Sequence, residues 1–260
     1  MTKIEIELLG LAKFAAIDAA NCLLREGYSK MSFVEGTQLS GRETKISADT
    51  ILEDKIISSL SQTDISILSE ERGFIQTKNK DQSELLWVID PLDGSLNFSR
   101  GIPLYAISIA LWRAMRPCFG VIYFPIEGDL IWGGVNWGAF VGDSSICVSK
   151  TKDFNQAILC TGLPARFDLN VPDSKAQFWN QFSSFGKIRM LGSAARSLAY
   201  LAMGSVDAYS ENNIMLWDVA AGLAILEGAG GSFQIDYLER MWECNVSATN
   251  GLLPKFLGKN

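Results

Sequence analysis

The sequence predicts a mixed α/β (α+β) fold, and three observations carry that expectation. An amphipathic helical repeat opens the chain, a β-rich stretch fills its middle, and beyond about residue 150 short apolar runs alternate with helical segments. The change of pattern sets a boundary near residue 150, between an α+β half (1–150) and an α/β half (151–260).

Residues Ile4 to Glu26 read as a helix, because Ile4, Leu8, Leu11, Ala15, Ala19 and Leu23 recur at three- and four-residue spacing and Gly27 is placed to end it. A second helix spans about Ala48 to Leu60, with Ile51, Leu52, Ile56 and Leu60 on one side. Ile65 to Leu68 and Leu85 to Ile89 are short β-like runs. Tyr105 to Phe124 alternates in part and breaks at Arg116-Pro117, which predicts adjacent strands joined by a turn. Leu130 to Val135 and Ala139 to Val141 continue the β character. In the second half come an apolar run (Ala157 to Cys160), a helix around Ser174 to Phe185 and a short run from Lys187 to Leu191. A helix opening at Ser193, the run Val206 to Tyr209 and a final helix from Trp217 to Gly230-Gly231 complete the set.

Composition narrows the chemistry. The 260 residues include 29 acidic and 23 basic side chains and no histidine, for a net charge of −6. Apolar residues make up 48% and charged residues 20%, ordinary globular usage. A chain this long buries roughly 70–75% of its unfolded surface, so it needs no disulfide or structural metal to fold. Without histidine, Ser-His-Asp and Cys-His catalysis and histidine-ligated zinc are excluded. The acidic balance, with no basic run, argues against nucleic acid or a membrane surface as partner. The first ten residues lack a continuous apolar core, so no signal peptide is expected, and no stretch approaches the ~18 apolar residues of a membrane span. Five scattered cysteines without a CxxC pair read as reduced, mostly buried thiols of a cytoplasmic protein.

The carboxylates carry the chemistry. In Trp87 to Phe98, WVIDPLDGSLNF, an apolar strand delivers Asp90 at its end, and Pro91 biases Asp90 toward an extended conformation. Asp93, Gly94 and Ser95 then form a turn that opens a helix. Two carboxylates can thus aim at one point toward which the backbone N–H groups of Gly94 and Ser95 also face. Hard oxygen donors suit Mg²⁺, and helix-start N–H groups suit a phosphate. Asp, Pro and Gly are also the commonest turn residues, so this segment alone reads equally well as a plain turn. Glu70 follows the strand-like Ile65 to Leu68, and Asp218 opens the final helix. Taken singly, solvation explains Glu70 and Glu71, and capping explains Asp218 and Asp49.

Four ordered elements change that balance. Trp87 to Phe98 matches WxxDPxDGTxNF with Ser95 in place of Thr, and Trp217 to Gly231, WDVAAGLAILEGAGG, matches WDxAAGxxxxxEAGG. Ser69-Glu70-Glu71 is similar to an upstream GEE element, and Gly192-Ser193-Ala194 with Asp207-Ala208-Tyr209 also fits. Together they resemble the inositol monophosphatase family, within the Mg²⁺-dependent, lithium-sensitive phosphatases that include fructose-1,6-bisphosphatases and bisphosphate nucleotidases. The resemblance implies a layered αβαβα sandwich whose 1–150 half carries the metal-binding carboxylates and whose 151–260 half completes the active site and substrate pocket. It implies two or three Mg²⁺ held by Glu70, Asp90, Asp93, the Leu92 carbonyl and Asp218. Gly94 and Ser95 would hold the phosphate, and Ser95, backed by Asp49, would orient the attacking water beside Glu70. Asp93, Gly192, Ser193, Ala194, Glu211 and Asp218 would meet the substrate.

The chemistry stands without relatives as well. Phosphate monoesters resist hydrolysis because the anionic phosphoryl group repels nucleophiles, and divalent cations relieve that with no need of histidine. The implied activity is hydrolysis of a small polyol phosphate, inositol 1-phosphate foremost, by a cytoplasmic homodimer. Asn97, where bisphosphate nucleotidases carry an acidic residue, favours the inositol branch. The alternatives are a sugar bisphosphate or 3′-phosphoadenosine 5′-phosphate as substrate, and a metal- and phosphate-binding relative without turnover. Two further departures stand out. Gly228 replaces the glutamate of EAGG, with Glu227 one helical step of about 100° away, and Asn212-Asn213-Ile214 leaves the leaving-group pocket unreadable. Arg196 reads as a surface salt-bridge partner.

Overall fold

The computed structural model describes residues 2–25, 38–40, 43–45, 47–77, 84–163 and 183–254. Helices α1 (Lys3–Arg25) and α2 (Ser47–Leu60) cover one face of an eight-stranded sheet. Buried alanines at 12, 15, 16, 19 and 20 let α1 approach closely. Ile4 and Ile51 lie off the packed faces, 65% and 40% exposed, against the predicted stripes. On α2 the core side is Ala48, Leu52 and Ile56 at i, i+4 spacing, and Ile51 points about 100° away from Leu52.

The sheet runs β10-β9-β8-β7-β6-β5-β3-β4. Its strands are β3 (Ser66–Ser69), β4 (Gly73–Ile75), β5 (Leu85–Asp93), β6 (Ala106–Arg113), β7 (Arg116–Phe124), β8 (Asp129–Gly134), β9 (Gly138–Val141) and β10 (Ser144–Ile146). Among the described residues of this sheet, only β3 and β5 pair in parallel. Between β6 and β7 the chain reverses at Ala114-Met115, both left-handed (φ 48° and 58°). Such a pair makes the hairpin turn whose twist matches the strands. Arg116 and Pro117, expected in the turn, instead belong to β7, where Pro117 pairs with Trp112 beside a register shift. A separate hairpin pairs β1 (Gln38–Ser40) with β2 (Glu43–Lys45).

The chain leaves this sheet at Ile146 and enters a second, five-stranded one at Ile158. Its order is β12-β11-β13-β15-β14, with β11 (Ile158–Thr161), β12 (Lys187–Arg189), β13 (Ala208–Met215), β14 (Ser232–Tyr237) and β15 (Glu243–Thr249). Helices α4 (Ala194–Ala202) and α5 (Leu216–Gly228) lie between the sheets, and a short α3 (Ser95–Ser99) follows β5. One core joins Val88 and Ala110 of the first sheet, Leu198 and Leu223 of the helices, and Tyr209 and Val246 of the second sheet. From Val219 to Leu226 every residue of α5 is buried, as befits a helix apolar all round. It lies so close to the large sheet that a Cβ on Gly120 would stand 2.2 Å from the Ala221 carbonyl oxygen.

Among the described residues the layers run helix, sheet, helix, sheet. On the outer face of the small sheet, Leu159 and Ala208 pack with Phe185 and Leu253. The helix expected around Ser174 to Phe185 falls outside the described residues up to 182, and 183–186 form a turn. Gly228 has a steric reason: a Cβ there would lie 2.5 Å from the Gly138 oxygen and 2.8 Å from that of Gly134. Glu227 is exposed. All five cysteines are free, but only Cys160 and Cys244 are buried and Cys147 is exposed, so most are not buried as expected. Among the described residues no helix is long and apolar enough to cross a membrane.

Candidate active site

Strand β5 continues past the expected Ile89 to Asp93, and its pairing with β6 slips between Asp90 and Asp93. Residues i and i+3 of a regular strand face opposite sides. The slip, at a proline that has no N–H to give the ladder, removes that alternation and turns both carboxylates to one place. Asp90 is buried and accepts the Leu92 N–H at 3.0 Å. Gly94 then takes φ 89°, and a Cβ there would meet the Leu104 oxygen at 2.8 Å. The chain turns into α3, where Ser95 Oγ lies 2.8 Å from Asp49 Oδ1 on α2 and 2.8 Å from the Leu92 carbonyl.

The second half of the chain closes on this motif from the other side. Ser193 caps α4 by accepting the Arg196 N–H at 3.2 Å, and its hydroxyl donates to Asp93 Oδ2. The N–H groups of Ala195 (2.8 Å) and Ala194 (3.3 Å) donate to the same carboxylate. Anion and helix start complement each other there. The Asn97 amide donates to the carbonyls of Leu104 (2.7 Å) and Leu191 (2.8 Å), fastening α3 to the loop before Gly192. Asp218, in the first turn of α5, accepts the Met215 N–H at 3.1 Å, so it caps its helix and faces the other carboxylates at once. Glu211 on β13 accepts the Tyr209 hydroxyl at 2.9 Å.

Carboxylate oxygens of Asp90, Asp93 and Asp218 lie within 4.8 Å of one another, and Glu70, in the turn after β3, lines the same cleft. Burial, followed by mutual repulsion, pushes Glu70, Asp90 and Asp218 well above the ordinary carboxylate range. Burial raises Asp93 to about 6, against the pull of the Ser193 hydroxyl and the Ala195 and Ala194 amides. Glu211 rises to about 7 by burial, opposed by Tyr209 and reinforced by Asp93. A set of hard oxygen donors that repel one another when ionised fits a divalent cation such as Mg²⁺.

Glu70, Asp90, Leu92, Asp93, Gly94, Ser95, Gly192, Ser193, Ala194, Glu211 and Asp218 all line one cleft of about 450 Å³. Asp49 stands behind it, touching Ser95. Asn213 and Ile214, of the segment that left the pocket unreadable, line the cleft, and the sequence reading missed Thr161, Arg240 and Glu243, which line it too. Arg240 and Glu243 come from the β14–β15 hairpin, whose strands were not anticipated. Arg196 corrects an expectation: it is fully buried, with Nε donating to the Tyr105 carbonyl (2.8 Å) and both Nη atoms paired with Glu127 (2.8 and 2.6 Å).

Converging acid groups in a cleft between a large mixed sheet and a smaller one define the class, the layered two-sheet fold of the inositol monophosphatases. The chain belongs to the inositol monophosphatase family, whose model matches residues 7–240. It is 34% identical over 226 residues to Nus factor SuhB of Pasteurella multocida, covering 86% of this chain and 83% of that one. It is also 34% identical over 227 residues to inositol-1-monophosphatase of Mesorhizobium japonicum, covering 86% and 84%. The crystal structure of extragenic suppressor protein suhB from Bartonella henselae superposes with a TM-score of 0.82 at 30% identity, covering 95% of each chain.

Proposed function

We propose that this protein is a Mg²⁺-dependent phosphatase of small polyhydroxylated phosphate monoesters, with inositol 1-phosphate the foremost substrate. One observation carries the reading: Glu70 after β3, Asp90 and Asp93 of β5 and Asp218 of α5 arrive from three separate elements at one cleft where the Ser95 hydroxyl is seated on Asp49. In this reading the four carboxylates and the Leu92 carbonyl hold two or three Mg²⁺. When bound, the cations neutralise phosphoryl charge and acidify water. Ser95 directs its proton toward Asp49 and the Leu92 carbonyl, so its lone pairs accept a hydrogen from the attacking water and orient it. Glu70 borders the same space, and the Gly94 and Ser95 N–H groups receive the phosphate. Asp93, Gly192, Ser193, Ala194, Glu211 and Asp218 meet the polyol hydroxyls. The reading extends to lithium inhibition and to a cytoplasmic homodimer with no nucleic-acid or membrane partner. It also extends to a division near residue 150 between a carboxylate-bearing half and a half that completes the pocket. The relative named inositol-1-monophosphatase supports the substrate class.

A second reading, a sugar bisphosphate or 3′-phosphoadenosine 5′-phosphate as substrate, draws on Arg240. Among the described residues that line the cleft it is the one cation, well suited to a second anionic group. A third, metal and phosphate binding without turnover, draws on the relative named Nus factor. Phosphate release from a panel of these esters, with Mg²⁺ and then with EDTA, separates the three. Metal-dependent release fastest from inositol 1-phosphate is expected, and no release from any ester would overturn the first two. Asp93→Asn should lower turnover by about 10³-fold, ~4 kcal/mol of barrier, with the fold intact by circular dichroism. An active Asn variant would contradict the assignment of Asp93.

A further inference from the structure

Helix α2 carries a second buried carboxylate one turn beyond Asp49. Glu53 is fully buried (0% exposed) and is not among the residues lining the cleft. Its Oε1 accepts the Ser69 hydroxyl and the backbone N–H groups of Glu71 (3.2 Å) and Arg72 (3.1 Å). Arg72 Nε stands 3.4 Å from its other carboxylate oxygen, which accepts no hydrogen bond among the described residues. Glu70 lies between the groups so held, with Ser69 before it and Glu71 and Arg72 after it. One carboxylate therefore grips the chain on both sides of Glu70, at the point where β3 turns back into β4.

The grip has something to oppose. Glu70 lines the cleft with Asp90, Asp93 and Asp218, and carboxylates gathered in one cleft repel one another when ionised. A three-residue surface turn would relieve that repulsion by swinging outward, since loops follow the forces on their side chains more readily than strands do. Holding its two amides and the preceding hydroxyl on a carboxylate rooted in a core helix removes that freedom.

We propose that Glu53 is a positioning residue for the cation site, fixing the turn that aims Glu70 at Asp90. The inference rests on the reading of Glu70 as a cation ligand. Helix α2 then serves the site twice, through Asp49 on the Ser95 hydroxyl and through Glu53 on the Glu70 turn. Partners that orient ligands from behind in this way typically change metal affinity ~10–100-fold when removed.

The test is calorimetric titration of the intact chain with Mg²⁺ alone, on folded protein whose cooperative melt in EDTA has been verified. Glu53→Ala and Glu53→Asp should each weaken binding by ~10–100-fold, and Ser69→Ala, which leaves α2 untouched, should weaken it less. In the background of Glu70→Gln, adding Glu53→Asp should change affinity no further, a coupling that a purely structural role would not produce. If Glu53→Ala does not fold, Glu53→Asp and Ser69→Ala decide. Wild-type affinity in both folded variants would overturn the proposal while leaving the cation site standing. A wild-type chain that binds no Mg²⁺, or a Glu70→Gln variant that binds it undiminished, would instead remove the underlying reading and the inference with it.

Discussion

A serine hydroxyl has one proton, and at Ser95 it is shared between Asp49 Oδ1 and the Leu92 carbonyl, each 2.8 Å away. Removing the hydroxyl leaves Asp49 buried without that donor and the water without its guide. Ser95→Ala is therefore expected to lower kcat by about 10²-fold in steady-state assays, while Ser95→Thr, which adds a rotamer-restricting methyl, retains turnover. Titration offers a second test at this scale. Asp93 and Glu211 are raised to about 6 and about 7, so the folded chain binds more protons than the unfolded one between roughly pH 4 and 7. Their contribution to stability is present below the ordinary carboxyl range and is lost as pH rises through those values. In the Mg²⁺ reading a divalent cation would replace the protons, so the rise in Tm on adding Mg²⁺ should be larger at pH 8 than at pH 5.5 by scanning calorimetry. Equal shifts at both pH values would contradict proton–cation competition. The main acid groups were readable because motif spacing brings Asp90, Asp93 and Asp218 out as a pattern. Glu53 and Arg240 were not, because a lone charged residue in a helix or hairpin tip carries no periodic signal.

At the scale of elements, packing explains where the sequence reading succeeded and where it slipped. Helices α1 and α2 were anticipated from apolar positions at helical spacing, whereas α4 and α5, buried on nearly every side, were placed by the start at Ser193 and the stop at Gly230-Gly231. Strand β14 was missed because it lies at the sheet edge with only alternate residues half-buried. Its partner β15, ECNVSAT, buries polar residues and offers little hydrophobic contrast. The departure at Gly228 becomes intelligible only in three dimensions, where α5 ends against the carbonyls of Gly134 and Gly138. Restoring the family residue by Gly228→Glu should thus destabilise this chain by about 1–3 kcal/mol, as overpacked sites do. Urea unfolding measures this, and an unchanged midpoint would show that the β8–β9 turn yields freely.

For the whole molecule, the two sheets share α4 and α5 and one continuous core. Trp112 of the large sheet also donates from Nε1 to the Ala220 carbonyl of α5 at 3.2 Å. Residues from both sides of position 150 therefore pack in this core. Thermal unfolding followed by far-UV circular dichroism and by tryptophan emission should coincide in a single transition. Separate midpoints would mean that the halves melt independently.

The same union bears on how the protein is made. As the polypeptide leaves the ribosome, Glu70, Asp90 and Asp93 emerge together, whereas the amide donors of α4 and the side chain of Asp218 follow much later. The nascent first half thus gathers negative charge before its counterweights exist, and the last helix to arrive brings yet another anion. In the Mg²⁺ reading proposed above, the cation would serve folding as well as turnover, by relieving the repulsion that late-synthesised segments meet as they close onto early ones.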